Sequence, residues 1–175
     1  MQYRHSRGLV RDALSQLMNA SPLRIPLTAP PGEAPKLPKK WGHISFSHCK
    51  DMLLIGWSIK KLGVDIESKS RSIDTKLVTN RFFNEKEKEK LKLLPPHKHK
   101  EAALKSWVTK EAAIKWQNGR LMQDIALWSY YPLYKVAHHN ELNYTVRIHQ
   151  IEYKNWYIGV AYDQNLNINN PIICA

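Results

Sequence analysis

Six of the ten prolines lie between Pro22 and Pro38. Proline fixes φ and has no amide proton, so neither a helix nor a central strand can cross this stretch. It reads as an extended loop, and the chain must enter and leave it through separate elements. Ahead of it, residues 3–19 form a helical pattern. Leu9, Val10, Ala13, Leu14 and Leu17 recur at helical spacing among Arg4, Arg7, Arg11 and Asp12. Behind it, residues 43–48 alternate like a short strand, 51–58 read as its neighbour, and Gly63 to Glu67 as a third strand.

The second half begins helical again. Asn84 followed by Glu87 resembles a capping pair ahead of Leu91, Leu93 and Leu94, and Pro95-Pro96 ends that segment. A longer helix is expected over about 98–117, stopping near Asn118-Gly119. Strands are expected at 125–129, 133–137, 143–151 and 156–163. Both halves run helix then strands, which suggests an α+β class with a crude duplication. The expected units are a short N-terminal lobe, 1–61, and a larger C-terminal lobe, 62–175. The lysine-rich run from Lys86 to Lys100, interleaved with Glu87 and Glu89, reads as a solvated helical face.

With 175 residues, 43% of them hydrophobic, the chain can bury a core of its own. No apolar run approaches the roughly 20 residues that span a bilayer. No apolar region follows the first five residues, so no signal peptide is expected. Cys49 and Cys174 are too few for a disulfide framework, and a reducing, cytoplasmic setting is expected. The net charge of +12 attracts polyanions: nucleic acid, an anionic membrane, a phosphate-rich small molecule or an acidic protein.

Three carboxylates stand out. On a strand, Asp65 and Glu67 point to one face and Val64 and Ile66 to the other. Two adjacent acids repel unless a cation lies between them, and hard oxygen ligands of this kind suit Mg²⁺. The simpler alternative is a pair of strand-end acids contacting Lys61 or Lys69. Glu111 and Lys115 are neighbours one helical turn apart, which by itself describes an ordinary ion pair. Ser47-His48 closes a strand and could hold a phosphate or simply satisfy a turn. Cys49 has no base nearby in sequence, and the adjacent His138 and His139 make a poor metal pair.

Together these residues resemble one family. Ile44-Ser45-Phe46-Ser47-His48, Gly63-Val64-Asp65-Ile66-Glu67 and Trp107-Val108-Thr109-Lys110-Glu111-Ala112-Ala113-Ile114-Lys115 resemble, in order, three motifs of the 4'-phosphopantetheinyl transferases. The likeness is to the larger, pseudo-dimeric, surfactin-synthetase-activating type. Weaker matches are Ser6 to Arg11 and Arg81-Phe82-Phe83, and the resemblance spans roughly residues 3 to 163. It implies two related α+β lobes with the active site in the cleft between them, the N-terminal lobe being shortened.

The implied reaction moves the 4'-phosphopantetheine arm of coenzyme A onto a serine of an acidic apo carrier protein (acyl, peptidyl or aryl) and releases 3',5'-ADP. By the same resemblance Asp65, Glu67 and Glu111 would hold Mg²⁺, and Glu111 would help deprotonate the serine. Lys115 would neutralise the departing oxygen. Ser47, His48, Lys110, Lys115, Arg7 and Gly32 would face coenzyme A. A monomer is expected, with neither nucleic acid nor membrane as partner.

The sequence departs from the family at Glu33, where a lysine is common, and at Cys49, where serine is usual. Arg4, Arg7, Arg11, Lys39 or Lys40 would have to replace missing phosphate contacts. A basic nucleic-acid binder and a coenzyme A- or carrier-binding homologue without turnover are the competing readings.

Overall fold

In the computed structural model, which describes residues 2–163, the proline-rich stretch separates helix α1, Gln2–Met18, from the first strands. The apolar stripe of α1 is narrower than its sequence spacing suggests. Val10 and Leu14, one turn apart, are buried, while Leu9 and Leu17 stay exposed. Val10 and Leu14 pack with Ile25, Leu27 and Ile44, so the proline-rich stretch contributes two residues to the core. Its backbone is tied to the helix: Arg7 Nε donates to Ala29 O at 2.7 Å and Arg11 Nη2 to Leu27 O at 2.8 Å.

Strands β1, His43–Cys49, and β2, Met52–Ser58, form an antiparallel hairpin. Strand β3, Leu62–Ser68, belongs to a second, five-stranded antiparallel sheet. It is completed by β4, Trp128–Tyr131, β5, Val136–His139, β6, Tyr144–Tyr153, and β7, Trp156–Tyr162, in the order β3-β7-β6-β5-β4. β3 pairs through its backbone with β7 and turns its other edge toward β1. There the Val64 amide donates to Ser45 Oγ at 3.0 Å. Side-chain hydroxyls thus join the hairpin to the sheet where a backbone ladder would otherwise run.

Four helices fill the stretch between β3 and β4: α2, Thr75–Phe82; α3, Glu85–Lys92; α4, Pro96–Gln117; and α5, Leu121–Asp124. The expected Asn84 cap is present as a full capping box with Glu87. α4 ends at Asn118 in the left-handed conformation. Helix α2 has too few periodic apolar residues to be legible beforehand, although Asp74 Oδ1 caps it by accepting from Leu77 N at 3.0 Å. The strand expected at 125–129 starts only at Trp128, because α5 and the turn after it occupy the preceding residues. The strand expected at 133–137 is likewise delayed to Val136 by a helical turn at Pro132–Tyr134. Glu87, inside the run expected to be solvated, is buried.

α4 lies across the five-stranded sheet and is buried on most sides; Leu104, Val108, Ala112, Ala113 and Ile114 are all nearly inaccessible. Two glycines let it come so close. A methyl group on Gly63 would collide with the Ala112 carbonyl oxygen and the Trp116 amide nitrogen, and one on Gly159 would lie 2.8 Å from Val108 O. Gly159 sits opposite Asp65 in the ladder, so the approach falls beside the Asp65–Glu67 strand. Gly63→Ala is therefore expected to push α4 outward and destabilise the fold by about 1–3 kcal/mol, the usual range for overpacking. A urea midpoint equal to that of the native chain would remove this account of the helix–sheet spacing.

Candidate functional site

The close seating of α4 sets Glu111 over β3. All seven residues of β3 are buried. Val64 and Ile66 point away from Asp65 and Glu67 by strand alternation, and the two acids share the face that meets α4. Glu111 descends from the helix toward them. One carboxylate oxygen from each of Asp65, Glu67 and Glu111 lies within 4.8 Å of the other two. The sequence separates these residues by up to 46 positions (111 minus 65), and the fold brings them to one point.

Each acid has its own supports. Asp65 Oδ1 accepts from Ser47 Oγ and from Lys115 Nζ, both at 2.6 Å. Its other oxygen, Oδ2, is buried and has no partner among the described residues. Glu67 Oε1 pairs with Arg71, and Glu67 Oε2 accepts from the Cys49 thiol at 3.5 Å. Ser47 and Cys49 alternate along β1 as Asp65 and Glu67 alternate along β3, so one strand edge serves both acids. Trp107 Nε1, one turn from Glu111, is buried without a closed hydrogen bond. Burial, with Asp65 close by, pushes the Glu111 carboxyl up to about 7, against the opposing pull of Lys115, Trp107 and Arg71.

The simpler alternatives fail on geometry. Lys61 lies over the Trp116 ring at 4.3 Å, and Lys69 pairs with Glu152 at 2.8 Å, so neither neutralises the strand acids. Lys115 bonds to Asp65 rather than closing a one-turn pair with Glu111.

The chemistry of the donor set suits a hard divalent cation. Three carboxylates supply oxygen only, and one buried oxygen is bare. An orphaned acceptor in a native core demands a partner, and a cation between the acids would provide it while relieving their repulsion.

The expected coenzyme A contacts divide. Ser47 and Lys115 touch Asp65 directly. His48, next to Ser47 and so on the opposite side of β1, is exposed. Arg7 is committed to the Ala29 carbonyl, with its guanidinium 6.0 Å from the Phe46 ring on that same side of β1. Gly32 occupies an exposed turn with φ 79°. Lys110 is a correction. Its ammonium is buried and donates to Glu87 Oε2 at 2.8 Å and to Phe82 O at 2.9 Å, so it cannot meet a ligand from solvent.

Arg71 and the Cys49 thiol are supports that sequence reasoning did not assign. The matching i, i+2 polar alternation of β1 and β3 was the available signal for Cys49. Arg71 carried none, because its partner is fixed by the path of the loop after β3.

Comparison with known proteins adds one match and one blank. The model of the 4'-phosphopantetheinyl transferase superfamily matches residues 61–172, well over half of the chain. That segment includes the three acids and Lys115, and excludes α1 and the β1–β2 hairpin. A search of the curated proteins finds no match.

Proposed function

From the premise that the chain belongs to the 4'-phosphopantetheinyl transferase superfamily, we propose that it moves the phosphopantetheine arm of coenzyme A onto a serine of an acidic apo carrier protein. The observation that carries this reading is the convergence of Asp65, Glu67 and Glu111 within 4.8 Å, with Lys115 on the same cluster.

In this reading the serine hydroxyl approaches Glu111. The hydroxyl is a weak nucleophile and needs a nearby base, and the Glu111 carboxylate, converging on the cluster with Asp65 and Glu67, is that base in this reading. Glu111 takes the serine proton as the serine oxygen bonds to the β-phosphorus of coenzyme A. The bond from that phosphorus to the bridging oxygen breaks, and 3',5'-ADP leaves. Lys115, whose side chain is partly exposed beside Asp65, donates to the departing phosphate oxygen. Its place one turn from Glu111 lets the two serve opposite sides of one phosphorus. Asp65, held by Ser47 and Lys115, joins Glu67 and Glu111 in gripping a divalent cation, Mg²⁺ in our reading. When bound, that ion supplies positive charge against the pyrophosphate. The net charge of +12 suits an acidic carrier, because complementary fields raise encounter rates.

The same reading takes the fold as two related lobes, 1–61 and 62–175, with the site where they meet. Two observations support it. A helix followed by antiparallel strands occurs twice along the chain. The hydrophobic cluster of Val10, Leu14 and Ile44 is distinct from that of Ala112, Trp128 and Ala161.

The test is direct. Incubating the protein with coenzyme A, Mg²⁺ and a panel of apo carriers should add one phosphopantetheine arm to at least one carrier, read by intact-protein mass spectrometry. Omitting the metal or adding a chelator should abolish the gain. Tight coenzyme A binding with no arm transferred to any carrier would replace this reading with that of a non-catalytic binder.

A further inference from the structure

The loop after β3 carries a cation that the reaction above does not use. Arg71 pairs through Nη1 with Glu67 Oε1, while the Cys49 thiol donates to Oε2. Both oxygens of Glu67 are thus engaged, whereas Asp65 keeps one bare. The two ends of the Arg71–Glu67 pair differ in freedom: the arginine side chain is 41% exposed and the glutamate 8%. The guanidinium also lies 5.7 Å from the Trp107 ring. The acid is fixed in the core, and the base can swing away into water.

The charges conflict once a divalent ion is added. Three carboxylates face two basic side chains, Lys115 and Arg71. An ion with two positive charges would share oxygens with the Arg71 guanidinium at close range, where like charges repel strongly. We propose that Arg71 is a built-in competitor for the divalent cation at Glu67, so that cation uptake requires the guanidinium to leave that carboxylate. The inference rests on the metal reading given under the proposed function. It makes Arg71 a positioning residue that acts through Glu67. Anything that draws Arg71 off Glu67 then tightens the cation site, and by reciprocity the cation favours whatever holds the released arginine. The phosphates of coenzyme A are anions of the right kind to do so.

The experiment measures Mn²⁺ binding from the electron paramagnetic resonance signal of the free ion, with no turnover involved. In the absence of coenzyme A, Arg71→Gln should bind Mn²⁺ at least about fivefold more tightly than the native chain, the lower end of ordinary coupling between sites. Arg71→Lys keeps the charge and should stay close to native affinity. Adding coenzyme A should tighten Mn²⁺ binding more in the native chain than in Arg71→Gln. Arg71→Met, which retains packing against Trp107, gives the same reading should the glutamine variant unfold. Affinity that is unchanged or weaker in the neutral variants overturns the competitor role while leaving the metal reading standing. Mn²⁺ uptake by neither the native chain nor any variant overturns both.

Discussion

Glu111→Gln is expected to do two opposite things: abolish most of the transfer activity and make the metal-free protein more stable above pH 7. Under the proposed reaction the loss of activity follows from removing Glu111 as the base, a role worth about 100- to 10,000-fold in reactions of this kind. The gain in stability follows from the same burial. In the unfolded chain the Glu111 carboxyl releases its proton near 4.5, and in the folded chain near 7. Between those values the folded state holds a proton that the unfolded state has lost, so stability falls as pH rises. The penalty is absent below about pH 4.5 and complete above about pH 7. Its size is roughly 3 kcal/mol, from a shift of about 2.5 units at 1.36 kcal/mol each. A glutamine cannot ionise, so the variant escapes the penalty, and its melting temperature at pH 8 should rise by several degrees. The advantage over the native chain should shrink as pH falls toward 4.5. Mg²⁺ should stabilise the native chain and do so less for the variant, because a ligand that binds only the folded state adds stability by mass action. A thermal scan at pH 5 and pH 8, with and without Mg²⁺, reads all three effects. If Glu111→Gln lowers the melting temperature at pH 8, the carboxylate is a structural partner and the tension between stability and function is absent.

Which parts of this site a sequence can show depends on how far apart the cooperating residues lie. Asp65 and Glu67 share a strand face by simple alternation, and Glu111 and Lys115 share a helix face by one turn, so each pair was legible. That the pairs converge was implied by the family resemblance alone, and no spacing rule gives it. It depends on Gly63 and Gly159 letting α4 approach β3, and a glycine in a strand does not announce which backbone comes near it. Local pairing rules also assigned the wrong partners. Lys115 was nearest to Glu111 in the helix but bonds to Asp65, 50 positions away. The main elements α1, β1, β2, β3 and α4 followed from proline placement, alternation and capping. Helix α2 and the late start of β4 did not, because short polar segments take their conformation from what they pack against.

Lys110 shows the same limit most sharply, and its replacement carries the second large expected effect. Next to Glu111 in sequence, it reads as another phosphate contact, yet adjacent positions on a helix point about 100° apart, since one turn takes 3.6 residues. While Glu111 faces the acids of β3, Lys110 faces α3. Its ammonium is buried against Glu87, whose Oε2 also accepts from the Asn84 amide at 3.1 Å and whose Oε1 accepts from Tyr130 N at 3.1 Å. One carboxylate thereby ties the start of α3, the middle of α4 and strand β4 together. Burial pulls the Lys110 pKa below that of a free lysine, with Glu87 acting against it, so the ammonium depends on its partner to stay charged. Lys110→Met would keep much of the side-chain volume and leave Glu87 as a buried charge without its counter-ion. Breaking one side of a buried pair in this way costs about 3–5 kcal/mol. Adding Glu87→Gln should recover part of that loss, because the two residues act as one unit and their effects are not additive. For the fraction that remains folded, at a temperature well below its transition, the KM for coenzyme A should stay within about twofold of native, since uniform binding is lost only when a substrate contact is removed. A large rise in KM with an unshifted unfolding midpoint would return Lys110 to the substrate and dissolve the structural role of its pair with Glu87.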